Sequence, residues 1–391
     1  MKDILEIQGV ISVNKAPLLS LSIILVLLLP VFSTVFNTAS AQQQQTEKKG
    51  PYVDQVTFIH RDDENLALEE VKSGNLDAYY FHIPLEAAAD AKSDPRVTVY
   101  DRTAGSAGLL MNPAPARDGN SLNPFSIKEV RFAMNYLIDR QFVVNEIYKG
   151  YGSPLVDPFG IYSPEYLNVI DTVESFGFSY NPGLAEKMIT DAMTAAGATK
   201  DAASGNKWMF KESPVTVKIM IRLDDASRKS IGELVASKLE ESGFTVQKEY
   251  GDLTKANTIV YGSNPQDLKW NVYTEGLAGT SVFVKYNPII PGQMYAPWVG
   301  NMPGSQNPSF WNYQNSTLDE ITQKIFFANF TSAEDRSRLV NAAVKGGIQE
   351  SVRIFLAQRT EPFVVSSSLK GVVNDFGAGI TSKYSLVNAR P

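Results

Sequence analysis

Between Ser126 and Phe159 the apolar positions recur with helical spacing. Val130, Ala133, Met134, Leu137 and Ile138 fall at i, i+3, i+4, i+7 and i+8, a single stripe that must face a core. Ser126 and Glu129 stand in capping-box spacing, which predicts a helix from about Ile127. Asp139 interrupts the stripe and predicts the cap of a second helix carrying Val143, Val144, Ile147 and Tyr148 and ending at Gly150.

The rest of the chain alternates between the two periods. Val53 to Ile59 reads as a strand, Glu64 to Ser73 as a helix closed by Gly74, and Leu76 to Ile83 as a returning strand. A Pro/Gly-rich loop from Asn112 to Pro124 leads into the helix pair. Ser163-Pro164-Glu165 and Asn181-Pro182 have the form of helix starts, the second preceding Leu184, Met188, Ile189 and Met193 and ending at Gly197. Val215, Val217, Ile219 and Ile221 alternate as a half-buried strand. Asp225 then predicts the cap of a helix through Leu239, and Phe244 to Tyr250 a second strand. That spacing predicts a crossover between parallel strands, hence an α/β fold. Ser316 and Ser332 each precede an aspartate by three positions and predict two further helix caps. Arg353 to Gln358 and Phe363 to Ser366 predict strands.

Composition narrows the class. The 391 residues are 43% hydrophobic and 20% charged, which suits a globular chain large enough for two lobes. The formal net charge of -6 and the lack of a basic block argue against binding nucleic-acid phosphates. With no cysteine there is no disulfide, thiolate metal site, cysteine nucleophile or lipid-modified N-terminal cysteine. The two histidines, His60 and His82, stand outside any catalytic motif, and no phosphate loop or metal-ligand spacing occurs. His60 near Asp62 and Asp63 reads as the end of a surface strand. The expectation is a non-enzyme without cofactor.

The N-terminus adds a destination. Lys2 and Lys15 precede an apolar run from Pro17 to Phe36, and Ala39-Ser40-Ala41 has the form of a cleavage signature. Residues 1–41 are expected to be an export signal, with an uncleaved anchor as the alternative. Residues 42–50, QQQQTEKKG, are expected to be a flexible tether.

The ordered string from Val130 to Pro154, with Ile138-Asp139-Arg140 and the closing Lys149 to Gly152, resembles the family 5 extracellular solute-binding proteins of ABC importers, which bind oligopeptides, dipeptides and nickel complexes. Two further stretches resemble the same family: the turn with Gly74, Leu76 and Asp77, and Tyr180-Asn181-Pro182 opening a helix that ends in Ala-Gly. The resemblance implies a periplasmic-binding-protein-like (type II) two-lobe architecture. Its pattern begins here in mid-course, at Tyr52-Val53-Asp54, so the first lobe is expected to be incomplete. The implied organisation is a partial first lobe over 51–108, a second lobe over 109–359 and a return segment over 360–391. The missing lobe is expected on a continuing or separate chain, as in a truncated or permuted member.

Ligands of open α/β lobes bind beyond the carboxyl ends of strands. The stretch from Lys269 to Gly276 reads as a strand entering a glycine-containing loop, so Tyr273, Glu275 and the loop from Gly276 through Thr280 to Ser281 are the first candidates for ligand binding. In the family, a Trp-Asp strand precedes a Gly-Trp-x-x-Asp loop whose aspartate receives the peptide amino group in some members. Asn271, Leu277 and Thr280 occupy those positions here. Glu275 would substitute only if it points inward; otherwise it is a solvated loop charge. Trp298, Trp311 and Tyr313 either line an apolar cleft or pack a core. The expected function is an exported protein that delivers a peptide-like or small polar solute to an ABC permease. The alternative is a non-transport surface protein that keeps the scaffold for adhesion or sensing.

Overall fold

The computed structural model of the chain describes residues 51–277, 290–296, 301–375 and 378–391. Two compact units divide the chain, Met1–Glu47 and Lys48–Pro391. The described residues all belong to the second.

Helix α1 (Glu64–Ser73) starts where Asp63 accepts from the amides of Asn65 and Leu66, and stops where Gly74 turns left-handed at φ 79°. Strand β1 (Ala78–Tyr79), helix α2 (Leu85–Ser93) and the long strand β2 (Val97–Met111) follow. Helices α3 (Lys128–Leu137) and α4 (Arg140–Phe142), the latter continued by a π-helical turn over Val143–Ile147, form the expected pair. Asp139 caps the joint, accepting from the amides of Gln141 and Phe142. Strand β3 (Gly152–Pro154), helix α5 (Tyr166–Glu174) and helix α6 (Pro182–Ala195), capped by Asn181, lead to a small sheet of β4 (Thr199–Asp201), β5 (Lys207–Phe210) and β6 (Ser213–Pro214). Strand β7 (Thr216–Arg222), helix α7 (Ala226–Glu241) and strand β8 (Thr245–Gly251) make the expected crossover, with β7 and β8 paired in parallel. The order then runs through α8 (Leu253–Val260), β9 (Val272–Leu277), α9 (Ile290–Tyr295), α10 (Ser316–Phe326), α11 (Ala333–Glu350), β10 (Arg353–Ser366) and α12 (Lys383–Asn388).

Among the described residues one seven-stranded sheet runs β1-β10-β2-β9-β7-β8, with β3 also pairing β10. The antiparallel pair of β2 and β10 organises it. Their outer halves, including Val97 and Val364, pack with α1 and α2 in one core. Their inner halves, including Leu109 and Leu356, belong to the main core under α3, α6 and α7. Between these halves the pairing register slips by one residue between Phe355 and Ala357, and slips back between Gln358 and Thr360. Such bulges concentrate twist and bend the strand pair.

Several expected elements are placed differently. Val53–Ile59 is not a strand: the segment carries no regular structure, and Val56, Phe58 and Ile59 are exposed. The returning strand shrinks to Ala78–Tyr79. Helix α3 has Ile127, not Ser126, at its cap. Ser126 lies in a preceding 3-10 turn capped by Asn123, and its hydroxyl donates to the Asn123 carbonyl at 2.7 Å. Asn315 rather than Ser316 caps α10, whereas Ser332 caps α11 as expected. The two predicted strands after Arg353 are one, because Gln358 to Pro362 keeps pairing through the second slip.

Candidate functional site

The segment from Lys269 holds the expected strand, which continues through Gly276 to Leu277, and the loop expected after it lies outside the described residues. Val272–Leu277 is strand β9, paired to β2 on one side and β7 on the other, so Tyr273, Glu275 and Gly276 sit within the sheet. Tyr273 is buried and accepts a hydrogen bond at its hydroxyl from Arg222 Nη1 at 3.1 Å. Glu275 is no solvated charge: at 6% exposure it is ion-paired to Arg353 and accepts from the Tyr261 hydroxyl at 2.6 Å. Asn271, also buried, ties the start of β9 to Lys218 N and to Asn123. Trp311 is half-buried against the core of Trp270, Tyr273 and Tyr313. Thr280, Ser281 and Trp298 lie outside the described residues.

A polar cavity of about 290 Å³ opens beside this strand, where the register of β2 and β10 slips. Its floor is the β2 run Ala104-Gly105-Ser106-Ala107, four small residues that leave the face of the sheet unfilled. Around that floor stand Phe81, His82, Arg102, Tyr148, Asp225, Arg228, Leu277, Arg359 and Glu361. Arg102 lies on β2; Arg359 and Glu361 lie on β10. Asp225 and Arg228 come from the first turn of α7, where Asp225 caps the helix by accepting from Arg228 N at 3.0 Å. Of the stretch first marked for ligand binding, Gly276 adjoins this wall. A Cβ there would collide with the Arg228 guanidinium, so the missing side chain lets the arginine lie on the strand backbone.

The charged groups form a ladder. Arg102 Nη2 meets Glu361 Oε2 at 2.6 Å. Glu361 also pairs with Arg359. Arg359 Nη1 approaches Asp225 Oδ2 at 3.8 Å, and Arg228 Nε approaches the same oxygen at 3.5 Å. Burial alone would raise the Glu361 carboxyl, but Arg359 and the hydrogen bond from Arg102 hold it below the ordinary glutamate value. Burial would lower Arg359, yet Glu361 and Asp225 keep it raised. Burial pushes the Tyr148 hydroxyl up, so it stays a neutral donor at the cavity edge. Sequence reading missed all of these residues. A run of small residues within the arginine-bearing strand β2 was the available signal, and its meaning is visible only once β2 and β10 are known to be partners.

The family model for bacterial extracellular solute-binding proteins, family 5 Middle, matches residues 40–287. A curated relative, the nickel-binding protein NikA of Staphylococcus aureus, is 28% identical over 109 residues, 28% of this chain and 21% of that protein. NikZ of Campylobacter jejuni, solved in complex with Ni(L-His), superposes with a TM-score of 0.62 at 18% identity, covering 87% of this chain and 63% of its own. A periplasmic oligopeptide-binding protein of Thermotoga maritima superposes with a TM-score of 0.67 at 16% identity, covering 85% of this chain and 62% of its own. The chain thus spans less than two thirds of the length of these solved proteins, and about a fifth of the curated relative is matched.

Proposed function

The chain belongs to the bacterial extracellular solute-binding proteins of family 5, and from that membership we propose that it captures a peptide-like or other small polar solute outside the cytoplasm for an ABC permease. The observation that carries this reading is the polar cavity on the β2–β10 pair, between the core under α1 and α2 and the main core. At about 30 Å³ per water, its 290 Å³ is room for roughly ten waters, enough for a short peptide unit or a small organic acid. The two cores act as lobes, and the bulged strand pair is where they hinge when solute is bound. Gly276 and Arg228 belong to the wall that receives the solute. No covalent chemistry is involved.

In this reading residues 1–41 serve as the export signal; among the described residues no helix is long and apolar enough to cross a membrane. Calorimetric titration of the purified chain with oligopeptides, nickel–histidine complexes and sugars tests the proposal. Saturable binding of one class, weakened by Arg359→Gln, is the expected result. A folded protein that binds none of them and carries no ligand through purification overturns it.

A further inference from the structure

The loop between α10 and α11 bears on what happens to the chain after export, a step that rests on the extracytoplasmic reading above. We infer that the carboxamide of Asn329 is a modification site, the acceptor of an N-linked sugar chain.

Three stretches of the sequence have the acceptor form Asn-x-Ser/Thr, and the structure separates them. In Asn307-Pro308-Ser309 the middle proline excludes transfer, and Asn307 Oδ1 accepts from the Ser309 amide and hydroxyl at 3.0 and 2.7 Å. Asn315 is half-buried, and its Oδ1 caps α10 by accepting from Leu318 N at 3.0 Å. The two residues after it, Ser316 and Thr317, are already helical. Asn329 differs on each count: it is exposed, it lies between helices, and its side chain makes no hydrogen bond among the described residues.

The fold anchors the neighbours of Asn329 and leaves its carboxamide free. Its backbone amide closes the end of α10 by donating to the Lys324 carbonyl at 2.8 Å, after Ala328 has turned left-handed at φ 53°. Phe330 packs against the core shared by α5, α10 and α11. Thr331 is tied to Asp335 Oδ2 through its amide at 3.1 Å and its hydroxyl at 3.2 Å, yet stays exposed. The acceptor nitrogen and the hydroxyl that the triplet requires are presented together at the surface. Beside them Phe326 and Phe327, with ring centroids 5.0 Å apart, are 37% and 68% exposed. Aromatic rings offer the apolar face on which the C–H side of a sugar packs. Among the described residues, none that lines the polar cavity comes from α10, α11 or their loop, so a sugar there leaves the path of the solute open.

The donor this transfer needs is an oligosaccharide linked through phosphate to a lipid, together with its transferase. The Asn329 carboxamide nitrogen forms a bond to the anomeric carbon of the sugar. The bond from that carbon to the lipid phosphate oxygen breaks, and the lipid phosphate leaves with the electron pair. The nitrogen gives up one proton to the transferase, and nothing is oxidised or reduced.

Tryptic mapping of the protein isolated from the cells that make it tests the inference. Cleavage after Lys324 and Arg336 puts Asn329 on its own peptide, 325–336, apart from Asn307 and Asn315 on 286–324. The expected result is a 325–336 peptide heavier by a series of sugar residues, which fragmentation places on Asn329, with 286–324 unmodified. Thr331→Ala removes the required hydroxyl and should abolish the added mass, whereas Thr331→Ser should keep it. A bare 325–336 peptide, sugar on Asn315 in its place, or added mass that persists in Thr331→Ala overturns the inference. Fractionation of the same cells locates the failure. A bare Asn329 on an exported chain sinks the glycan alone; a chain held in the cytoplasm removes the export reading as well. The peptide map uses the unaltered sequence, so it decides the matter even if a variant does not fold.

Discussion

Glu275 on β9 and Arg353 on β10 are paired through two contacts across the intervening strand β2, with Arg353 Nη2 donating to Glu275 Oε1 at 2.9 Å and Nε donating to Oε2. Arg353 also donates to the carbonyls of Met294 and Asn301, and the Tyr261 hydroxyl donates to Glu275. With side-chain exposures of 1% and 8%, the pair is part of the fold's interior. Glu275→Gln leaves Arg353 buried without its counter-charge and is expected to cost about 3–5 kcal/mol in urea unfolding. The double change Glu275→Leu with Arg353→Met should recover most of that loss. A Glu275→Gln protein of unchanged stability and weakened solute binding would show that the carboxylate serves the ligand instead.

Gly276→Ala should behave in the opposite way. The added methyl meets the far end of a flexible arginine, Arg228, and not backbone, so the expected stability change is less than about 1 kcal/mol. Solute affinity should fall because Arg228 is pushed off its seat. Thermal melting and calorimetry on the same sample separate the two effects.

Asp157 gives a pH signature. Its carboxyl is buried, and burial pushes its pKa up to about 6 although backbone amides at Phe159 and Gly160 donate to it. The folded state therefore holds a proton that the unfolded chain, near 4, has released. This contribution to stability is complete at acid pH and is lost as pH rises through about 6. Asp157→Asn removes the titration and should be more stable than the parent by up to about 2–3 kcal/mol above that pH, with the difference shrinking towards pH 4. Urea midpoints across this range check the sign. Glu361, whose pKa is lowered, contributes in the other direction, so the comparison must be between parent and variant.

Arg140 is a second buried cation, this one without a carboxylate. Its guanidinium donates to the carbonyls of Leu155, Phe355 and Asn135 and to Asn135 Oδ1, at 2.7–2.9 Å. Burial lowers its pKa to about 10, so it stays charged at neutral pH. Arg140→Met strands these acceptors and is expected to cost about 3 kcal/mol or more. Faster amide exchange around Leu155 and Phe355 would locate the damage; unchanged exchange there would exclude this role.

Local signals in the sequence carried much of the fold. Asp139, Asn181, Asp225 and Ser332 all cap the helices they were expected to cap, because an N-cap depends on a side chain and amides two or three residues away. The parallel β7–α7–β8 unit was legible for the same reason. Val53–Ile59 failed because strand alternation says nothing about whether a partner strand is present. The site was harder still. Glu275 has the same composition and spacing whether it ends a loop or lies inside a sheet, and its partner Arg353 is 78 residues away. The ladder joins residues from β2, α7 and β10, which only long-range pairing brings together.

The paired register slips have a consequence for how this chain tolerates change in length. The second slip cancels the first, so both ends of the β2–β10 pair keep their proper faces while the middle runs one residue out of phase. A substitution at Leu356 or Gly105 would perturb packing locally. Removing either residue would take away one slip and leave the other uncompensated, turning every side chain beyond it to the opposite face. Arg359 and Glu361 would then point away from the cavity they now line. Descent with modification is therefore constrained here more in residue count than in residue identity, and indels in this window should be purged where point changes persist.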